Sequence, residues 1–196
     1  MPSKPKLNAD TILGAEFGYI AATATQAYED RARVATFYFV SVGSLIAAII
    51  SAQLFQTESG RDTLQNIYLA FCALFSFLTV LGYLTIAQLA RLRTAWMDSV
   101  MAMNRIKTYY INNIGTDLGS AFLWTDEVAP KGYKPGSVAN YLAYQVALLS
   151  GLIFAASVFF FQQGISQTKF IWPFSVSLGA LMAFWQVYAY KKMVSR

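Results

Sequence analysis

Four stretches without a single charged side chain, residues 34–57, 63–90, 135–168 and 170–190, constrain this chain more than any other feature. All are predominantly apolar, and each supplies the ~20 residues that an α-helix needs to cross about 30 Å of hydrocarbon. A helix satisfies its own backbone donors and acceptors, which lipid cannot do, so helices are the form such stretches take in a bilayer. The expected fold class is an all-α integral membrane protein with four transmembrane helices in two hairpins. N-terminal and central amphipathic cytoplasmic helices accompany them. The spans are expected over residues 35–54, 67–89, 138–161 and 171–190.

Composition agrees with this. The chain has 196 residues, of which 56% are hydrophobic and 13% charged. That balance excludes a disordered chain and an ordinary soluble domain. With four spans in lipid, too little chain remains for a separate soluble enzyme domain. Residues 1–33 carry charges and no compact apolar segment ahead of a small-residue cleavage site. The first membrane helix is therefore expected to act as its own insertion signal.

The positive charges set the expected orientation. Every Lys and Arg except Arg61 and Lys169 lies before the first run, between the second and third, or after the fourth. These segments share one side of a four-span chain, and basic residues accumulate on the cytoplasmic side. Both termini are expected to be cytoplasmic and the protein to reside in the inner (plasma) membrane. The net charge of +5 then reflects orientation and contact with anionic lipid rather than nucleic-acid binding. The expected organisation is a cytoplasmic N-terminal helix in residues 1–33 and a first hairpin in 34–90. A cytoplasmic helix and loop in 91–137, a second hairpin in 138–190 and a cytoplasmic tail in 191–196 follow.

Outside the spans, Leu13, Phe17, Ile20, Ala24 and Ala27 recur at three- and four-residue steps, as one face of a helix requires. Asn8 or Asp10 is suited to cap that helix. Leu92, Trp96, Val100, Met103, Ile106 and Tyr110 form a second apolar stripe, with Arg93, Asp98, Arg105 and Lys107 on other faces. Of these, Phe17, Trp96 and Met103 are the expected cytoplasmic packing residues. Gly60 and Gly164 mark tight outer turns; Gly115, Gly119, Pro130, Pro135 and Gly136 mark irregular chain before the third span, with Ser137 as its N-cap. Trp124, Tyr133, Tyr141 and Trp172 fall where an interfacial aromatic belt lies.

Within the spans, residue types with acid–base or metal chemistry are scarce. There is no histidine, and no Asp, Glu, Lys or Arg interrupts the four runs. Ion-coupled carriers, voltage sensors and retinal proteins depend on such groups at membrane depth. Cys72, the one cysteine, lies in the second run and reads as a small packing residue. Adjacent carboxylates at Glu29–Asp30 and Asp126–Glu127 point about 100° apart on a helix, unlike a catalytic dyad. No catalytic, cofactor-binding or metal site is expected, no cofactor, and no enzymatic activity.

Small residues carry more information. Gly43, Ala47 and Ser51 recur every four residues in the first span, Gly151 and Ala155 in the third, and Ser175, Gly179 and Ala183 in the fourth. Such rows let helix backbones approach closely, which drives association in lipid. They are candidate helix-packing residues, toward helices of the same chain or another copy. Gln145 and Gln186 are the deepest amides and are candidates for interhelical hydrogen bonds or a pore lining.

The segment Gln26-Ala-Tyr-Glu-Asp-Arg-Ala-Arg33, running straight into an apolar hairpin, resembles the start of SLATT-type bacterial membrane effectors. The helix leaving the membrane at Arg91 and Arg93 resembles them too. The resemblance covers residues 10–110 and implies pore formation linked to nucleotide-activated defence; a second hairpin after Gly136 departs from that pattern. Residues 93–110 are similar to small bacterial four-span proteins without an assigned activity. Neither resemblance assigns a role to a residue. The expected function is a non-enzymatic membrane protein that self-associates, a channel or pore-forming effector being one form of it. The alternative is a small accessory or scaffold subunit of a larger membrane complex. Expected partners are the lipid bilayer, further copies of the chain or other membrane subunits.

Overall fold

The computed structural model describes the backbone of residues 8–54, 61–114, 122, 124, 132–165 and 171–195, and their side chains except at 9, 52–54, 61–64 and 171. The expected outer turns at Gly60 and Lys169 and the irregular signals at Gly115, Gly119 and Pro130 lie outside these residues. Four helices follow in order: α1 Ala9–Leu54, α2 Arg61–Ile114, α3 Val138–Ile165 and α4 Ile171–Val194. The described residues contain no strand. Three of the helices, α1, α2 and α3, are long and apolar enough to cross a membrane, which marks a membrane-embedded protein. In α4, Trp172, Pro173, Ser175, Ser177 and Gln186 dilute the apolar run.

The two longest helices continue well past their apolar segments. α1 has 46 residues and α2 has 54; at 1.5 Å per residue α2 measures about 80 Å, far more than the ~30 Å of a hydrocarbon core. Asn8 caps α1: its side-chain oxygen accepts the Asp10 N–H at 3.0 Å, and its carbonyl accepts from Ile12. α3 begins at a Pro–Gly turn. Gly136 has a φ of +77°, and the Ser137 N–H closes the turn on the Lys134 carbonyl at 3.1 Å. That is the type II pattern, which needs glycine at its third position. Ser137 occupies the N-cap through its carbonyl, which accepts from Asn140 and Tyr141, while its hydroxyl is buried without a partner. The Asn140 side chain takes the supporting role, donating to the Lys134 carbonyl at 2.6 Å.

The chain divides into two compact units, one of Met1–Asp30 with Leu92–Gly132 and the other of Arg31–Arg91 with Tyr133–Arg196. In the first, Ala24 and Ala27 are buried and Leu13, Phe17 and Ile20 half-buried, while the intervening α1 positions are mostly exposed. On α2, Val100 is buried and Leu92, Trp96, Met103, Ile106 and Tyr110 are half-buried. One polar residue departs from its expected face. Arg93 is 7% exposed; its Nε donates to the Gly132 carbonyl at 3.0 Å, and its guanidinium lies over the Trp96 ring, 4.5 Å from the centroid. Trp124 meets Trp96 edge-on at 6.2 Å, with its carbonyl accepting from Lys107 at 3.3 Å. Two cations of α2 thus pin the returning chain.

In the second unit neighbouring helices run antiparallel. Tyr38 of α1 reaches Leu78 of α2. Between α2 and α3, Thr79 pairs with Ser150 and Cys72 with Ser157. Along α3 and α4 the contacts run from Ala139 with Tyr190 to Gln162 with Ser175. The core they enclose contains Val42, Ile86, Leu89, Val146 and Ile153. Gly164, expected in the outer turn, lies inside α3 and faces Leu69 of α2, where a Cβ would stand 3.2 Å from a leucine methyl. The turn therefore starts later than glycine placement suggests, because the glycine serves a helix crossing.

The Arg93 contacts generate a prediction for the first unit. A charge-assisted hydrogen bond and a partly desolvated cation–π contact together stabilise by about 2–4 kcal/mol. Arg93→Ala should loosen the chain around Gly132, and limited trypsin digestion should then cut after Lys131 several-fold faster than in the wild type.

Candidate functional site

Lipid offers no hydrogen bonds, so every polar side chain inside a span must satisfy itself on its own helix or reach another. Several here do the former. Thr79 donates to the Phe75 carbonyl, Thr85 to Leu81, Ser51 to Ala47 and Ser177 to Pro173, each four residues back. Other polar groups cross between helices, and two clusters of them stand out in the second unit.

The deeper level centres on Ser150, which is fully buried. Gln186 of α4, also 0% exposed, donates from Nε2 to the Ser150 hydroxyl at 2.8 Å. The Ser150 hydroxyl reaches the Thr79 carbonyl of α2 at 3.4 Å, and Tyr38 of α1 reaches the neighbouring Leu78 carbonyl at the same distance. Gly82 makes the meeting possible. A Cβ there would stand 2.5 Å from Ser150 Oγ and 2.6 Å from the Tyr38 hydroxyl oxygen, closer than any real contact. All four helices of this unit therefore contribute to one polar point. Gln186 Oε1 remains buried without a hydrogen-bond partner. The second level joins α2 and α3: the Ser157 hydroxyl lies 2.8 Å from that of Ser76 and donates to the Cys72 carbonyl at 3.1 Å.

The small-residue rows have two different fates. Those of α3 and α4 fill each other: a Cβ on Gly151 would meet the Gly179 carbonyl at 2.6 Å and Ala183 Cβ at 2.8 Å, and one on Gly179 would meet Ala155 Cβ at 2.7 Å. Here the two backbones touch. Ser175, buried, closes the end of the pair farthest from Tyr190 by donating to Gln162 Oε1. The α1 row behaves otherwise. Gly43, Ala47 and Ser51 are exposed, and nothing lies within 4 Å of a Cβ added to Gly43. Only 17% of the most apolar window of α1 is buried, against 44% for α3.

The two deepest amides also part ways. Gln186 finds Ser150, whereas Gln145 is exposed on α3, between exposed Tyr141 and Leu148. Phe17, Trp96 and Met103 are half-buried in the first unit. Aromatic residues of α2 and α3 pack largely on one another. Phe71 and Phe75 pack on Phe160, the latter stacked at 5.5 Å, and Phe159 meets Phe160 edge-on, which leaves Phe77 and Phe161 outside.

Sequence reasoning found Gln186 but not Ser150, Gly82 or Tyr38. A tyrosine, a serine and a glycine are ordinary in membrane helices, and only their convergence distinguishes them. Among the described residues no cluster of His, Cys, Asp or Glu could hold a metal ion.

Two contrasting substitutions test this geometry. Gly82→Val should destabilise the protein by about 1–3 kcal/mol through overpacking, lowering its melting temperature in detergent. Gly43→Val, placed in open space within the chain, should lower it far less. Ser150→Ala and Gln186→Leu should each cost about 0.6–2 kcal/mol, with the double variant less destabilised than the sum because both remove the same bond. Comparison with protein-family models, with curated proteins and with solved structures finds no match.

Proposed function

We propose that this protein is a non-enzymatic membrane protein that crosses the bilayer four times, keeps both termini in the cytoplasm and associates with further copies of itself. The observation that carries the reading is the outward row Gly43–Ala47–Ser51 on α1. Equivalent rows on α3 and α4 bring backbones into contact within the chain, and among the described residues nothing stands within 4 Å of a Cβ added to Gly43. A second copy supplies such a contact. The exposed Gln145 amide supports the same conclusion, because an amide facing hydrocarbon gains about 0.6–2 kcal/mol when it finds an interhelical partner.

The fourth span rests on packing rather than on hydropathy. α4 has 24 residues, about 36 Å of helix, and lies antiparallel to α3 from Ala139 to Gln162. A helix paired so closely with one that crosses the membrane crosses with it. Both termini then fall on the side that carries nearly all the Lys and Arg residues, in the plasma membrane.

Channel or pore-forming activity is the form of this function that the resemblance of residues 10–110 to SLATT-type effectors favours. Tyr38, Ser150 and Gln186 occupy the point where the four helices of one copy meet, so the conducting path in this reading runs between copies. The second reading, an accessory subunit of a larger complex, draws on the exposed Phe174, Phe184 and Tyr188 of α4.

The test is the mass of the purified protein in mild detergent, together with ion leakage from liposomes that contain it. The wild type should run as an oligomer and Gly43→Ile/Ala47→Ile as a monomer that keeps the wild type's helical circular dichroism. A wild type that is monomeric at every concentration and leaves liposomes tight removes the proposal. Co-elution with unrelated membrane proteins favours the accessory subunit.

A further inference from the structure

The start of α3 and the end of α4 meet at one level of the second unit, where the Tyr190 hydroxyl donates to the Ala139 carbonyl at 3.5 Å. Tyr133, just before α3, is held from two sides. The Lys191 ammonium of α4 lies over its ring, 5.3 Å from the centroid, and its hydroxyl stands 2.8 Å from that of Tyr144 on α3. Lys134 follows it in the chain and is exposed, as is Lys191. Two cations and a pair of phenolic hydroxyls thus gather at one end of the helix pair, an arrangement that neither helix makes alone.

Depth and charge both point to a phosphate. The uncharged run of α3 begins at Pro135 and that of α4 ends at Tyr190, so Lys134 and Lys191 are the first charges beyond the apolar runs at this end, where lipid headgroups lie. Lys191 also offsets the negative pole of α4, which accounts for a basic residue there. Lys134 has no such reason: it precedes the positive pole of α3, where a cation is unfavourable and an anion favourable. The tyrosine pair adds a donor. Only one of its two hydroxyl protons can lie between the oxygens, which leaves the other for an outside acceptor. The first turn of α3 also keeps two buried polar atoms unmatched, Ser137 Oγ and Asn140 Oδ1, and Asn140 is 0% exposed. Water carried by a headgroup at this turn can complete them, whereas hydrocarbon cannot.

We propose that this end of the α3–α4 pair binds the headgroup of an anionic phospholipid, its phosphate held by the ammonium groups of Lys134 and Lys191 and by the remaining proton of the Tyr133–Tyr144 pair. The lysines supply charge without fixing a geometry, and the hydroxyl pair supplies direction. The site rests on α3 and α4 both crossing the bilayer, as in the four-span reading, and not on self-association.

The experiment is lipid retention by the full-length protein in mild detergent, read by native mass spectrometry with phosphatidylglycerol or phosphatidylcholine of matched chains. Phosphatidylglycerol should be retained roughly tenfold better, as expected of charge-assisted hydrogen bonds. Lys191→Gln should erase most of that preference. Tyr144→Phe, or Tyr133→Phe where the first variant folds poorly, should reduce it severalfold without removing a charge. Arg105→Gln, an equal loss of charge at an exposed position of the first unit, should preserve it. Equal retention of the two lipids by the wild type overturns the proposal, as does an equal loss in Lys191→Gln and Arg105→Gln. Displacement of phosphatidylglycerol by millimolar inorganic phosphate overturns it in favour of a free-anion site. Ser195→Cys in a Cys72→Ala background separates the two readings. Its labelling by an impermeant maleimide outside intact cells sinks the four-span reading and this site with it, whereas equal lipid retention without such labelling sinks the site alone.

Discussion

The contact on which the membrane unit depends is the one made over a missing side chain. Gly82 leaves room for the Ser150 hydroxyl and the Tyr38 ring to meet on α2, and Gln186 then reaches Ser150 from α4. Remove that room and three other helices lose their common point. In water such an arrangement would compete with solvent for every hydrogen bond. In hydrocarbon no solvent competes, so a handful of polar atoms fixes rotation and register for helices whose remaining surfaces are nearly interchangeable. Apolar packing holds the helices together; the polar point selects which residues face one another.

Much of this was legible before any coordinates. The four uncharged runs mark the four helices, and the first and second continue without a break into the segments flanking them. Periodicity also located the sheltered face of the first segment, since Ala24 and Ala27 are buried and Leu13, Phe17 and Ile20 partly so. These features are local, and local features are what spacing along a chain encodes.

The site was less legible, for a physical reason. Whether a polar or small residue faces a neighbour depends on helix rotation, which a uniformly apolar helix does not announce. Gln145 and Gln186 look alike in sequence, yet one is exposed and the other fully enclosed. Gly43 and Gly151 open similar rows, and only the second is filled. Arg93 misled in the opposite sense. A positive charge suggests a solvated face, but its long stem and planar head suit it to lie on Trp96 while donating to a backbone carbonyl. Gly164 suggested a turn and instead made room for Leu69.

The crossing of α3 and α4 has a mechanical side. Ser175, Gly179 and Ala183 are spaced four residues apart, about 6 Å along the axis. Shifting α4 by one such step would offer Gly151 another small residue, whereas half a step would drive a bulkier one into its backbone. The pair thus behaves like an indexed slide with discrete stops, and the Gln186–Ser150 and Tyr190–Ala139 bonds act as the catch that holds it in one of them. One-turn jumps of this kind are among the ways packed helices shift against one another.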